Sequence, residues 1–256
     1  MQCKGVQLND LALPRPAATV LLLRQGLEGL EVFMVERHHQ IDFATGALVF
    51  PGGKVDPGDR EPDWADLVFP EGLEPSEREF RVAAVRETYE ESGVLLVKTA
   101  SAALADYREP VHLGQISFLH LIQENSLKLD LLSMVPFAHW ITPELAPKRY
   151  DTRFYLAPAP ADQLALHDGG ESVDSLWITP GQAIEAARSQ QRIVIYPTLM
   201  NLAKLARYQT VEEALAAAKN FQIIPITPWL EEDGLKIPAE ADYPELEPEL
   251  VRLAFG

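Results

Sequence analysis

The chain has 256 residues, of which 47% are hydrophobic and 23% are charged, and this balance predicts a well-buried soluble core. Its 22 Lys and Arg residues against 38 Asp and Glu residues give a formal net charge of −16, which disfavours double-stranded nucleic acid as a partner. The single cysteine, Cys3, excludes an internal disulfide, and no run resembles a membrane span or a signal peptide, so we expect a cytoplasmic protein without a membrane segment.

In chain order the predicted elements are a mixture of strands and helices. We expect an N-terminal extension at 1–16, one domain at 17–230 and a loosely held acidic, Pro-rich tail at 231–256. Strands are predicted at 17–23, 30–36, a segment ending at Phe50, 94–97, 135–141, 153–157 and 222–226. Helices are predicted at 76–92, 109–123, after Pro180, 198–208 and 211–219.

The first of these helices carries the most informative segment of the chain. It ends in the run Arg86-Glu87-Thr88-Tyr89-Glu90-Glu91-Ser92-Gly93-Val94. Ser76 and Glu79 predict a capping box at its start, and Gly93 predicts a left-handed residue at its end. Apolar residues on two sides of the helix predict that it packs between layers.

Glu87, Glu90 and Glu91 are expected to lie on one side of this helix, because positions three and four apart are neighbours. Two unit charges about 4 Å apart at an effective dielectric near 20 repel by about 4 kcal/mol. A divalent cation between the oxygens would remove this repulsion, and Mg²⁺ binds carboxylates together with waters and phosphates. The same run also suits a solvent-exposed helix with surface salt bridges, so the helix alone leaves both interpretations open.

A pair of glycines upstream favours the metal site. Residues 48–56 predict a strand that runs into a turn at Gly52 and Gly53, where a ligand or metal can approach the backbone closely. The turn and the helix together resemble the Nudix hydrolase signature, which is a glycine, five residues, a glutamate, seven residues and then Arg-Glu-apolar-x-Glu-Glu-x-Gly-apolar. The second half matches from Arg86 to Val94, with Thr88 replacing an aliphatic residue.

The first half of the signature is interrupted. About nineteen more residues than in the family spacing separate Gly53 from Arg86. We interpret residues 57–75, which are rich in Pro and Gly, as a long loop inserted into the signature. Counting back from Arg86 places the isolated glutamate near Arg78, and we favour Glu79 because it lies on the same side of the helix as Arg86.

The resemblance implies an α/β fold, namely a Nudix-type α/β/α sandwich around a mixed sheet with additional helices. It implies that Mg²⁺ or Mn²⁺ is held by Glu87, Glu90 and Glu91 with help from the Gly53 carbonyl. It also implies hydrolysis of a diphosphate bond in a nucleoside diphosphate linked to another moiety. Glu87 is the candidate for activating the attacking water, and Arg86 for orienting the carboxylates.

Further residues follow from the same resemblance. Glu171 occupies a loop where many Nudix enzymes supply another acidic metal ligand, although a plain polar turn fits equally well. Arg37, Gly52, Lys54 and Arg153 are candidate substrate-binding residues, and Arg153 can equally flank a strand without contacting a ligand.

The substrate is less well determined than the chemistry. The segments 140–143, 149–155, 177–180 and 195–198 resemble the Nudix motif 19 branch, which is related to coenzyme A diphosphatases. Coenzyme A or an acyl-coenzyme A is therefore a candidate, but Asp42 stands where the coenzyme A pattern has an arginine. ADP-ribose, NADH and dinucleoside polyphosphates remain alternatives, as does a non-catalytic nucleotide-sensing domain. The expected partner is a small-molecule nucleotide derivative, with neither nucleic acid nor membrane, and a homodimer stays open.

Overall fold

The structure is a computed structural model that describes residues 13–38, 46–98, 102–144, 146–169, 172–231 and 234–255. The strands are β1 Arg15–Gln25, β2 Leu30–Arg37, β3 Leu48–Val49, β4 Gly52–Lys54, β5 Val68–Phe69, β6 Leu129–Asp130, β7 Val135–Ile141, β8 Tyr150–Pro158, β9 Ser172–Ile178, β10 Pro225–Ile226, β11 Trp229–Glu231 and β12 Gly234–Lys236. The helices are α1 Trp64–Leu67, α2 Pro75–Ser92, α3 Arg108–His112, α4 Phe118–Glu124, α5 Pro180–Arg188, α6 Tyr196–Leu205, α7 Val211–Ala218 and α8 Pro248–Phe255.

A mixed eight-stranded sheet forms the centre of the molecule. Its main path runs β10-β7-β8-β1-β2-β3, while β4 pairs with β1 and β9 pairs with β2. Strand β1 is parallel to β8 and antiparallel to β2 and β4. In this register Ala18 lies opposite both Gly53 and Arg153. Gly52 and Gly53 therefore belong to strand β4, and the turn predicted at these two glycines is wrong.

Two hydrophobic cores cover the two faces of this sheet. Alternate residues of β1 face opposite sides, as the two-residue period of a strand requires. Val20 and Leu22 pack with α2 and α4 in the first core, whereas Leu21 and Leu23 pack with α5 and α6 in the second. The fold is therefore an α/β/α sandwich, as predicted.

Helix α2 lies in the first core and carries the acidic run at its C-terminal end. Val82, Val85 and Tyr89 are buried on one side, and Phe80 and Ala83 are buried on another, which confirms burial on two sides. The helix ends at Gly93, whose φ of 75° is left-handed and whose N–H donates to the Tyr89 carbonyl at 2.8 Å.

The start of α2 differs from the prediction. The N-cap is Glu74, Pro75 occupies the first turn, and no side chain caps the helix. Proline suits this position because its fixed φ is helical and its missing N–H is not needed there. The proposed capping box of Ser76 and Glu79 is wrong for this reason.

The inserted segment is folded and is not a simple loop. A 3₁₀ turn at Pro57–Arg60 and helix α1 lead into β5, which pairs in parallel with β6. Trp64 is fully buried in the first core and donates from Nε1 to the Gly58 carbonyl at 2.8 Å. The expected long loop is therefore an ordered layer that packs beside α2.

Two other predicted elements are corrected. Residues 94–97 do not form a strand, since only Val97 makes an isolated bridge, to Leu129. The helix predicted at 109–123 is divided into α3 and α4, and Gly114 between them has a φ of 66°. A left-handed residue cannot continue a right-handed helix, so the chain changes direction there.

The C-terminal segment packs against the second core. Leu250 of α8 is buried, and Tyr243 donates its hydroxyl to Asn201 Oδ1 at 2.7 Å. The expectation of a loosely held tail is wrong for the described residues after 233, while the proposed domain boundaries stay predictions. Among the helices that the structure describes, none combines the length and the apolar character needed to cross a bilayer.

Candidate metal and active site

Arg86 is the centre of a buried ionic cluster at the end of α2. Its Nε and Nη2 donate to the two carboxylate oxygens of Asp59, each at 2.9 Å, and Nη2 also donates to the Lys54 carbonyl at 2.8 Å. Its Nη1 donates to Glu87 Oε1 at 2.9 Å and to Glu90 Oε1 at 3.3 Å. The guanidinium therefore joins strand β4, the inserted segment and the acidic run.

Asp59 occupies the place of the isolated acidic residue in the signature. It lies six positions after Gly53, which is the family spacing, with aspartate in place of glutamate. Glu79, which we favoured from the sequence, instead forms an ion pair with Arg60 at 2.9 Å. The extra residues therefore lie after Asp59, whereas the predicted insertion at 57–75 included it, and the count back from Arg86 therefore missed Asp59.

Gly52 and Gly53 pack directly on the acidic residues. The Gly52 N–H donates to Glu91 Oε2 at 2.9 Å. A Cβ added at Gly53 would lie 2.5 Å from the Glu87 carboxylate, so a side chain there would force that carboxylate to move. Glu91 is buried, and the side chains of Glu87 and Glu90 are only 15% and 12% exposed. The two glycines and the helix end thus form one compact site.

This site holds more negative than positive charge. Asp59, Glu87 and Glu90 contact the guanidinium of Arg86, and Glu91 contacts Gly52; these four carboxylates exceed that one guanidinium by three formal negative charges when all are ionised. Burial raises the pKa of Glu87 to about 7, with a further rise from Glu90 that Arg86 opposes. Burial also raises the pKa values of Glu90 and Asp59 above their ordinary range.

Arg86 stays charged within this cluster. Burial alone would lower the pKa of its guanidinium, but the hydrogen bonds to Asp59 and the charges of Glu87 and Glu90 raise it above the ordinary value. One permanent positive charge therefore offsets part of the carboxylate repulsion.

The donor set has the chemistry that a hard divalent cation prefers, since it consists of buried carboxylate oxygens with surplus negative charge. Its arrangement is not that of a closed metal site. Within the described residues, no three Asp, Glu, His or Cys side chains converge closely enough to hold a metal ion. Glu87 and Glu90 face Arg86, and Glu91 faces Gly52, so a bound cation would require some of these carboxylates to turn.

A second group of residues borders the acidic end from α3 and the loop at 167–169. Arg108 donates from Nε to the Glu90 carbonyl at 2.9 Å, and His112 lies 3.9 Å from Glu90 Oε2 and 4.0 Å from Asp168 Oδ2. The Asp168 side chain is only 8% exposed. This loop brings an acidic residue toward the site, but Glu171, which we proposed from the sequence, lies outside the described residues.

The predicted substrate-binding residues lie in different surroundings. Gly52 belongs to the site, and Lys54 contributes its carbonyl while its side chain is exposed. Arg37 ends β2 beside Ser172, and its buried Nε has no hydrogen-bond partner among the described residues. Asp42 lies outside the described residues.

Arg153 is held away from the acidic end. It pairs with Glu77 at 2.9 Å and lies 4.2 Å from the ring centre of Phe80. Glu77 precedes Glu87 by ten residues, about 15 Å along a helix. The role of Arg153 in substrate binding stays a prediction.

Comparison with known proteins adds an independent finding. The family model for the NUDT19 Nudix domain matches residues 71–205, more than half of the chain. A protein of Xenopus laevis named acyl-coenzyme A diphosphatase NUDT19 is 24% identical over 84% of this chain and 72% of that protein. The human protein of the same name is 25% identical over 73% of this chain and 63% of that protein.

A solved structure supports the same assignment. A NUDIX hydrolase from Alicyclobacillus acidocaldarius superposes with a TM-score of 0.72 and is 27% identical. The likeness covers 79% of this chain and 96% of that one. The sequence signature, the sandwich fold and the family match agree, and this chain belongs to the NUDT19 Nudix domain family of Nudix hydrolases.

Proposed function

We propose that this protein hydrolyses the diphosphate bond of a coenzyme A derivative, with an acyl-coenzyme A as the preferred candidate, and that it requires Mg²⁺ or Mn²⁺. The observation that carries the proposal is the buried surplus of carboxylates at the end of α2, packed against Gly52 and Gly53. The names of the relatives from Xenopus laevis and human support the choice of substrate.

The acidic residues have separate roles in this proposal. Glu90 and Glu91 would hold the cation, with Glu87 and the Gly53 carbonyl as further ligands. A bound divalent cation would supply charge neutralisation at the phosphoryl oxygens and would make a water more acidic. Asp168 brings another carboxylate toward the same space from the opposite side.

Glu87 is the proposed proton acceptor. Burial raises its pKa to about 7 in the metal-free protein, and the charge of a bound cation would lower this value and keep the carboxylate in the ionised form that accepts a proton. In the proposed reaction its carboxylate takes a proton from the attacking water, a phosphorus–oxygen bond forms, and the bridging diphosphate bond breaks. Arg86 does not react, but orients Glu87 and Glu90 through its Nη1 hydrogen bonds.

The substrate can be identified with the purified protein, Mg²⁺ or Mn²⁺ and a panel of nucleotides. The panel contains coenzyme A, short- and long-chain acyl-coenzyme A, ADP-ribose, NADH and diadenosine polyphosphates, with products identified by mass. We expect the highest kcat/KM with a coenzyme A derivative, which would be split into an adenosine bisphosphate and a phosphopantetheine product.

Other outcomes would change the proposal in defined ways. Preferred cleavage of ADP-ribose, NADH or a dinucleoside polyphosphate would keep the chemistry and replace the substrate. Saturable nucleotide binding without turnover, at any metal concentration, would contradict the enzymatic assignment for this chain and favour a nucleotide sensor.

A further inference from the structure

The last turn of α2 is tied to two neighbouring segments through its main chain. Its carbonyl groups would otherwise lack partners, because no further helical turn follows them. The Ser92 carbonyl accepts from the Leu166 N–H at 2.9 Å, and the Glu90 carbonyl accepts from Arg108 Nε at 2.9 Å. Both donors come from outside the Nudix signature.

Arg108 reaches from this helix end to the 167–169 loop. Besides Glu90, it contacts the His167 carbonyl through Nη1 at 3.3 Å. Asp168, the next residue, accepts the Ser172 N–H at 3.0 Å, so the loop is also held on its far side. The Arg108 guanidinium therefore connects Glu90, a proposed metal ligand, with His167, the residue before Asp168.

Arg108 also packs beside Gly93, the residue that ends α2. A Cβ at Gly93 would lie 3.4 Å from Arg108 Nη1, an ordinary van der Waals contact, so the two segments meet without a gap. The positive charge of Arg108 lies near Asp168 and Glu91, and at the negative end of the helix dipole. Charge therefore favours its position.

We propose that Arg108 is a positioning residue that joins the end of α2 to the 167–169 loop and so sets the separation of Glu90 and Asp168 around the cation. This inference rests on the proposed function, because it takes Glu90 as a metal ligand. The His112 ring lies between the carboxylates of Glu90 and Asp168.

A purely structural role for Arg108 makes a different prediction, and Arg81 provides the matched control. Arg81 also holds main-chain carbonyls of a distant segment, those of Leu131 and Met134 at 2.8 and 2.7 Å. It lies in the first half of α2, away from the acidic end. Arg81→Met should therefore lower stability without changing the metal site.

The experiment measures Mn²⁺ binding by electron paramagnetic resonance, together with Tm, kcat and KM, for the full chain. Arg108→Met should weaken Mn²⁺ binding and lower kcat by about tenfold or more, the size expected for residues that orient metal ligands, with a smaller change in KM. Arg108→Lys, which keeps the charge and one donor, should lie between Arg108→Met and the wild type. Arg81→Met should lower Tm with unchanged Mn²⁺ affinity and kcat.

Wild-type Mn²⁺ affinity and kcat in Arg108→Met, with a fall in Tm like that of Arg81→Met, would overturn the inference alone. If Arg108→Met does not fold, a double-mutant cycle of Arg108→Lys with Asp168→Asn replaces it. Non-additive effects on Mn²⁺ affinity support the positioning role, and additive effects contradict it. A wild-type protein that binds no Mn²⁺ would instead overturn the metal site and this inference together.

Discussion

Among the described residues, one basic side chain is buried on each side of the central sheet, and the two are surrounded very differently. Arg86, in the first layer, contacts Asp59, Glu87 and Glu90. Lys204 of α6, in the second layer, lies between three aromatic rings and donates to the Ala241 carbonyl at 3.0 Å. The ring centres lie 5.7, 4.3 and 4.7 Å from its Nζ, and belong to Phe137, Phe221 and Tyr243.

The pKa values show what the two environments do. The carboxylates hold the Arg86 guanidinium in its charged form and raise its pKa despite burial. Burial lowers the pKa of Lys204 to about 8, with Asp242 opposing this change and Arg207 adding to it. The Arg86 cluster has surplus negative charge, which a cation can neutralise. The Lys204 side chain instead packs among aromatic rings and holds the C-terminal segment against the second core.

The largest expected difference between the Arg86 and Lys204 clusters is in catalysis, which should depend on the carboxylates around Arg86. Glu90→Gln and Glu91→Gln each remove a charge from the surplus, and we expect either to lower metal-dependent kcat by at least about a hundredfold, equivalent to about 3 kcal/mol. Glu185→Gln, on the exposed surface of α5, is the matched control and should leave kcat unchanged. Circular dichroism should show a folded protein for all three.

Full activity in Glu90→Gln or Glu91→Gln would contradict this difference between the two clusters, because the surplus negative charge would then have no catalytic role. A loss of activity that accompanies a loss of helical structure would be equally contradictory, since these carboxylates would then be needed for the fold.

The next effect is on stability. Arg86→Met removes the partner of Asp59, whose side chain is only 2% exposed, and leaves its carboxylate buried. We expect a loss of about 3–5 kcal/mol in the free energy of unfolding, measured by urea denaturation. Asp59→Asn in the Arg86→Met background should recover part of this loss, because the uncompensated charge is then gone. No recovery would show that the buried charge is not the cause.

On the other side of the sheet, Lys204→Met should lower the free energy of unfolding by a smaller amount. It removes the cation–π contacts and leaves the Ala241 carbonyl without its donor, and such losses are about 1–3 kcal/mol. The kcat value should not change. A fall in kcat with unchanged stability would contradict the view that the second layer is structural.

The dependence of stability on pH should have opposite signs at the two sites. The folded protein binds a proton at Glu87 up to about pH 7, whereas the unfolded chain releases it near the ordinary pKa of 4.5. Stability should therefore fall as pH rises from about 4.5 to 7 in the absence of divalent metal. The difference in Tm between the wild type and Glu87→Gln, measured with a chelator, isolates this effect.

At Lys204 the dependence of stability on pH has the opposite sign, because the pKa of Lys204 is lowered in the folded protein. Between about pH 8 and its ordinary pKa of 10.5, the unfolded chain binds more protons, so stability should rise with pH in this window. The difference in Tm between the wild type and Lys204→Met isolates it from the ionisation of tyrosines. Slopes of the same sign at both sites would contradict the two environments described above.

The sequence predicted the local part of the site because helical spacing is a local rule. Arg86, Glu87, Glu90 and Glu91 lie together at a helix end, and Gly93 ends the helix with positive φ. The close approach of the backbone at Gly52 and Gly53 was likewise predicted from the residue types, although the two glycines lie in strand β4 and not in a turn. The central sheet and the α/β/α layers followed from the resemblance of these motifs to a known family.

The sequence did not predict the long-range part of the site. Arg108 and Asp168 come from separate segments that meet at the α2 end only in the folded chain. Asp59 could have been found from its spacing to Gly53, but it lies within the predicted insertion at 57–75, and the isolated acidic residue was counted back from Arg86 instead. The start of α2 was missed since Pro75 at the first turn outweighed the side-chain pattern of a capping box.

The central claim is that the surplus of carboxylates at the end of α2 binds a divalent cation. Its most direct test is a calorimetric titration of Mn²⁺ into the nucleotide-free protein above pH 7, where Glu87 is ionised. We predict saturable binding to the wild type, with affinity falling in Glu90→Gln and Glu91→Gln and unchanged in Glu185→Gln. Equal binding to all four proteins, or no binding to the wild type, would contradict the claim.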